Sequence, residues 1–207
     1  LYRYLKEMNK YSLNYPADEI FRGLGGKKHF VNFWQNYLKF DINKIQMTTG
    51  SGLPYFDGDT RLDNWITCRA TLEVVGALEA AIQKRSADQG VSLKLSDVIL
   101  VGGVDPGTLG ATYRSENIRG SVLAKTGTLN TAVTLAGLLE TKKGEVYFGI
   151  FFQPPSSAYI NSLRRLRDKW VVNLIRGFGG SAPESYKPRS FFSMDKNALL
   201  TTPNNHN

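Results

Sequence analysis

The sequence predicts an α+β fold, an antiparallel sheet flanked by helices. Three observations carry this. Apolar residues recur at helical spacing through the first forty positions, residues 121–152 change to strand-like runs, and residues 160–177 return to a helical period. Too few residues separate the last two strand-like runs for a crossover helix, so those strands must pair antiparallel.

The elements follow in order. Tyr4, Leu5 and Met8 form one apolar stripe, and Ile20, Phe21 and Leu24 form another that Gly25-Gly26 stops. Pro16 suits a first helical turn, which leaves Ser12 to Asn14 on the short connection between two helices. Phe30, Phe33, Trp34, Tyr37 and Leu38 recur at helical spacing and are expected in a core. A turn-rich stretch spans 50–63.

Thr67 opens a helix to about Arg85, with Leu72, Val75, Leu78 and Ile82 on one face and Glu73, Glu79 and Lys84 elsewhere. Val98 to Val101 is a short apolar run ending at Gly102-Gly103. Strands are expected over 121–125, 132–139 and 145–152, the last two joined by Lys142-Lys143-Gly144. Ile160, Leu163, Leu166, Trp170 and Leu174 make a closing helix that ends at Gly177. Residues 1–180 are expected to be part of one domain. Residues 181–207, polar and carrying Pro183, Pro188 and Pro203, are expected to be a tail that wraps or frays.

Composition removes several function classes. Among 207 residues, 11 Phe, 10 Tyr and 3 Trp exclude disorder of the whole chain. No apolar run is long enough for a transmembrane segment. Cys68 is the one cysteine, so no internal disulfide forms, and it is expected to be a small buried hydrophobe. With only His29 and His206 beside that thiol, no closed zinc site and no cofactor is implied.

The net charge of +8 favours anionic partners. The basic residues are scattered, apart from Arg164, Arg165, Arg167 and Lys169, and no aromatic stripe interleaves them. A solvated surface is therefore expected rather than a nucleic-acid groove. Gly102 to Gly107 lacks the Gly-Lys-Ser/Thr of a phosphate loop and reads as a turn. Asp57, Asp59 and Asp63 lack the glycine and distal glutamate of a calcium loop and read as a solvated turn.

Lys125-Thr126-Gly127-Thr128, beside a predicted strand, is the most informative tetrapeptide. At ordinary residue frequencies, Lys-Thr-Gly occurs by chance in roughly one chain of this length in twenty. Ser12-Leu13-Asn14 is a Ser-x-Asn, a pattern expected by chance in roughly half of such chains, and Ser115-Glu116-Asn117 is a second copy. Context separates the two copies. The first joins two helices far upstream of Lys125, whereas the second lies only ten residues before it.

Together these residues resemble the active-site serine DD-peptidases, the penicillin-binding proteins, whose signatures are Ser-x-x-Lys, Ser-x-Asn and Lys-Thr-Gly in that order. The likeness extends over about residues 1 to 175. Met8 to Asn14 followed by Ala17, Asp18 and Glu19 is similar to the family's helix, Ser-x-Asn and acidic helix start. Gly50-Ser51-Gly52-Leu53 is similar to its Gly-Ser-Gly-Leu loop. Gly107-Thr108-Leu109 with Arg114, then Val122 to Leu129, then Leu135-Ala136-Gly137 resemble the approach to its sheet. The pattern is that of the D-alanyl-D-alanine carboxypeptidase/endopeptidase branch, the low-molecular-mass class C enzymes. The fold implied is serine β-lactamase/DD-peptidase-like, present here as a partial domain.

The resemblance implies roles. The catalytic residues would be Ser12, Asn14 and Lys125, and the substrate-binding residues Thr126, Gly127 and Thr128. No Ser-His-Asp triad can be built, since His206 lies in the tail and His29 has no obvious partner. In a Ser-Lys system a lysine of lowered pKa acts as base. Lys125 would supply a cation and help hold the substrate carboxylate. Ser12 would relay a proton to the leaving D-alanine nitrogen, and Asn14 would fix the substrate amide or the catalytic lysine. Thr126 to Thr128 would form a strand edge for an extended peptide, with the Thr128 N–H in the oxyanion hole and its hydroxyl meeting the substrate. Gly127 would leave room for substrate.

One departure stands out. The family's Ser-x-x-Lys lies upstream of Ser-x-Asn, yet the sole match here is Ser193-Met194-Asp195-Lys196, in the tail. The nucleophile is therefore expected on a companion N-terminal segment outside this chain. The partners implied are the peptidoglycan stem peptide and β-lactam antibiotics as inhibitors, with location in the periplasm or cell envelope. The missing nucleophile also motivates a different class, a non-catalytic penicillin-binding-like module that holds peptidoglycan or a partner protein. A third reading is a basic nucleic-acid binder.

Overall fold

The computed structural model describes residues 1–188. Ser193-Met194-Asp195-Lys196 lies outside the described residues. The chain opens with three helices, α1 (Tyr2–Tyr11), α2 (Asn14–Gly23) and α3 (Gly26–Asn32). Gly25, at φ 93°, separates α2 from α3 where the sequence predicts a stop.

The first helix departs from its expected face. Its buried residues are Lys6, Glu7 and Lys10, while Tyr4 is exposed and Leu5 and Met8 are half-buried. The next departure follows α3, where residues Phe33–Tyr37 widen into a π-helical turn and Leu38 N–H donates to the Phe33 carbonyl. That widening takes the aromatic run out of its 3.6-residue register. Trp34 alone of the run is deeply buried, and Phe33 and Tyr37 stack on each other in the open, centroids 5.1 Å apart.

Four short strands follow: β1 (Ile45–Gln46), β2 (Tyr55–Asp57), β3 (Thr60–Leu62) and β4 (Trp65–Ile66). β1 pairs with β4, and β2 with β3, each antiparallel. The turn-rich stretch thus holds an exposed hairpin. Its Gly50 to Leu53 loop docks on α2, where Ser51 N–H donates to Asp18 Oδ1 (2.8 Å).

α4 (Cys68–Gln89) begins at Thr67, whose hydroxyl accepts from Ala70 N–H as an N-cap should. Its buried residues are Ala70, Thr71, Val75, Glu79 and Ile82, while the expected core residues Leu72 and Leu78 are exposed. The rotation has a polar cause: Tyr147 OH donates to Glu79 Oε2 (2.6 Å), which keeps the glutamate on the packed side. Cys68, the first helical residue, is exposed rather than buried.

The main sheet runs β5 (Leu100–Val101), β6 (Val122–Leu129), β7 (Ala132–Thr141) and β8 (Gly144–Phe152), in that order and antiparallel throughout. The three expected strands are present, each longer than its sequence pattern. β6 in particular continues through Lys125 to Leu129, because a two-residue turn returns the chain directly into β7.

α5 (Ile160–Gly177) covers one face of the sheet, with Val171 and Ile175 packed among Leu100, Leu109, Val122, Leu135 and Leu139. On the other face Leu123, Val101 and Leu138 meet Ile82 of α4 and Leu95. Arg167 belongs to this packing rather than to a solvated basic cluster. It is buried, donates to the Thr134 carbonyl and pairs with Asp168 (2.7 Å). After α5 the chain wraps back, with Ala182 N–H donating to the Glu140 carbonyl and Glu184 N–H to Glu140 Oε2.

Candidate active site

The site begins with the way α1 ends. Ser12 takes the left-handed conformation (φ 53°, ψ 52°), its N–H donates to the Asn9 carbonyl, and Leu13 N–H donates to the Met8 carbonyl (3.0 Å). Glycine is the usual residue for this cap. A serine there carries about 1 kcal/mol of backbone strain, and the turn delivers its hydroxyl to β6. Lys125 Nζ donates to Ser12 Oγ at 2.7 Å and to the Thr126 carbonyl at 2.8 Å.

No carboxylate pairs with Lys125 among the described residues. Burial without a counter-charge lowers its pKa to about 8.

The strand beneath is half open. β5 covers β6 only at Leu123 and Ala124, so from Lys125 to Leu129 one edge has no strand beside it among the described residues. The direction of that edge follows from alternation. Gly102 N–H donates to the Val122 carbonyl (2.8 Å), so residues 122 and 124 address β5, and Thr126 and Thr128 point their N–H and C=O groups the same way, past its end. The Thr126 carbonyl accepting from Lys125 Nζ fits this direction.

A loop ties the two halves together. Thr126 Oγ1 donates to Thr108 Oγ1 (3.0 Å), and Thr108 N–H donates to the Lys10 carbonyl (3.0 Å). Gly107 allows this approach, since a Cβ there would lie 2.1 Å from the Lys10 oxygen.

The structure therefore brings Ser12, Lys125 and Thr126 together. Thr128 is exposed on the open edge. Gly127 is crowded from within the sheet: a Cβ there would lie 2.4 Å from Thr134 Oγ1 on β7. Asn14 is the exposed first residue of α2, and its amide makes no hydrogen bond among the described residues. The second copy, Ser115 to Asn117, lies in an exposed turn, where the Ser115 carbonyl accepts from Ile118 and Arg119 N–H. No hydrogen bond joins it to Lys125.

Sequence reasoning missed Lys6 and Asp105 as neighbours of the site, and placed Thr108 only on the approach to the sheet. The signal for Thr108 was its place in the Gly107-Thr108-Leu109 likeness, and Lys6 carried none. Among the described residues no three metal-ligating side chains stand together, and no helix is long and apolar enough to cross a membrane.

An antiparallel sheet with helices on both faces, as part of a domain, is the penicillin-binding, DD-peptidase-like class of fold. The chain belongs to the D-Ala-D-Ala carboxypeptidase 3 (S13) family, whose sequence profile matches residues 1–171. Two solved structures of predatory endopeptidases from Bdellovibrio bacteriovorus are similar to it. Bd0816, in complex with immunity protein Bd3460, is 33% identical with a TM-score of 0.80, covering 90% of this chain and 46% of its own. Penicillin G-acylated Bd3459, with the same immunity protein, is 28% identical with a TM-score of 0.82, covering 91% and 49%. Penicillin binding protein 4 (dacB) from Haemophilus influenzae, at 22% identity and TM-score 0.54 over 78% of this chain and 38% of its own, shares the fold. The chain thus spans about half the length, or less, of these solved proteins. No match is found among curated protein sequences.

Proposed function

We propose that this chain is the Lys-Thr-Gly-bearing part of a serine DD-peptidase. It would cleave D-alanyl-D-alanine ends or D-amino-acid cross-links of peptidoglycan stem peptides through an acyl-serine intermediate. The observation that carries the reading is the 2.7 Å hydrogen bond from Lys125 Nζ to Ser12 Oγ beside an open strand edge. Membership of the S13 family and the penicillin G acylation of Bd3459 support it.

In this reading the stem peptide lies along residues 126–128 as an added strand, with the Thr128 N–H turned towards the developing oxyanion. The Lys125 ammonium donates to Ser12 Oγ, so the hydroxyl proton of Ser12 is free to face the leaving amine. Ser12 gives that proton as the carbon–nitrogen bond breaks, and Lys125 replaces it. Asn14, free of partners within the described residues, is available to a substrate amide or to a second lysine. The nucleophile and its lysine base come from a companion segment outside these residues, and β-lactams acylate the same serine. The work is done in the cell envelope.

A second reading, a non-catalytic module that holds peptidoglycan or a partner protein, is favoured by one observation: the only Ser-x-x-Lys in the sequence is at 193–196. Labelling the full-length gene product with a fluorescent penicillin separates the two. A covalent adduct lost on Lys125→Ala supports the peptidase, and absence of any adduct from the folded protein leaves the binding module.

A further inference from the structure

We propose that Asp105, held by Lys6 and Tyr186, is a positioning residue that sets the contact between Ser12 and Lys125, and that the C-terminal segment acts on the site through Tyr186. Its consequence for catalysis rests on the function proposed above; its geometry does not.

Lys6 and Asp105 are each 2% exposed. An ammonium has three N–H donors, and Lys6 spends all of them: on the Ser96 carbonyl (2.7 Å), the Ile99 carbonyl (2.6 Å) and Asp105 Oδ2. Asp105 is filled in the same way. Oδ2 also accepts from Val101 N–H (2.8 Å), and Oδ1 accepts from Tyr186 OH (2.7 Å). The Tyr186 ring covers the remaining side of the ammonium, 5.1 Å from centroid to Nζ.

The loop that starts at Asp105 reaches both halves of the site. Asp105 grips α1 at Lys6, and Thr108, three residues on, grips it again at the Lys10 carbonyl, two residues before Ser12. The same Thr108 accepts from Thr126 Oγ1, next to Lys125. The loop thus helps to fix the rotation and height of α1 relative to β6, beside the hydrogen bonds from Lys6 and Asn9 to the carbonyls of residues 96, 98 and 99. A slip of α1 by one residue, about 1.5 Å of rise and about 100° of turn, would carry Ser12 Oγ away from Lys125.

Stability alone does not account for the pair. Apolar side chains of similar volume fill such a site about as well, because two charges must first be stripped of water. What charged groups with every donor and acceptor matched provide is a single geometry. The tail supplies one of the matches, and it is itself tied down by Ala182 on Glu140 and by the Glu184–Lys94 ion pair (2.6 Å).

The test uses the full-length gene product with isotope-labelled lysine side chains. Two quantities are read: the Lys125 titration midpoint by NMR and the rate of acylation by a fluorescent penicillin. Tyr186→Phe removes one hydroxyl and keeps the ring. Lys6→Met with Asp105→Asn removes both charges together and leaves no buried charge unpaired, as Asp105→Asn alone would. In both, the Lys125 midpoint should rise from about 8 towards the ordinary lysine value as α1 loosens and water enters. Acylation should slow by about tenfold or more while unfolding stays cooperative. Folded variants with an unmoved midpoint and the wild-type rate overturn the proposal. A wild type that forms no adduct, but whose Lys125 midpoint still follows these substitutions, leaves the positioning intact and removes the peptidase reading.

Discussion

Replacing Lys125 by methionine keeps most of the side-chain length and removes the charge, so it measures what the buried ammonium costs the fold. Burial lowers this lysine from 10.5 to about 8. At about 1.4 kcal/mol for each factor of ten in protonation, the difference is worth about 3 kcal/mol. Because the folded pKa lies below the unfolded one, the unfolded chain holds more protons between those values, and wild-type stability rises as pH increases through that window. The whole penalty is present below about pH 8. Methionine removes the penalty together with the two hydrogen bonds to Ser12 Oγ and the Thr126 carbonyl. A net gain of about 1–3 kcal/mol near neutral pH is the expected outcome. Urea unfolding of wild type and Lys125→Met, run in parallel from about pH 7 to about pH 10, cancels every other titrating group in the difference. The variant should be the more stable near pH 7, with the gap closing as pH rises, and should not be acylated by penicillin. A variant less stable than wild type near neutral pH, or a gap indifferent to pH, would refute the claim that an uncompensated charge is held at this position.

Ser12→Gly should stabilise the protein by up to about 1 kcal/mol in thermal melts, because glycine accepts the left-handed cap without strain. On the proposed function, the same variant in the full-length gene product should lower peptide turnover about a hundredfold or more, because the proposed relay hydroxyl is gone. Ser115→Ala, in the exposed turn, should leave turnover and melting temperature at wild-type values in the same assays. Thr67→Ala should cost about 1 kcal/mol in urea unfolding, because the Ala70 N–H loses its cap.

Periodicity located the elements well and their inward faces less well. The strands of the sheet were legible because each has apolar residues bounded by turns, and Pro16 with Gly25 marked the helix connections. The faces of α1 and α4 were not, since helical wheels assume that apolar residues point inward. On α4 the deciding contact is Tyr147 on Glu79, 68 residues apart. On α1 the Lys6 ammonium is buried only because residues 96, 99 and 105 present three acceptors to it. Cys68 and Arg167 went the opposite ways for the same reason: position on the helix, not residue type, set their exposure.

The site residues were legible as short motifs, but their meeting was not. Ser12 and Lys125 stand 113 residues apart, and two devices that leave little trace in composition join them. One is a serine accepted in a backbone conformation that favours glycine. The other is a strand whose edge partner stops at Leu100. An open edge at 126–128 leaves N–H and C=O groups without a neighbouring strand among the described residues, an exposure that folds normally cover or shorten. Here the chain before β5 turns away instead, and α1 takes up its carbonyls through Lys6 and Asn9. The residues that withdraw a neighbouring strand from β6 are thus the ones that bring Ser12 to it. One rearrangement both leaves the edge open and sets the hydroxyl beside it.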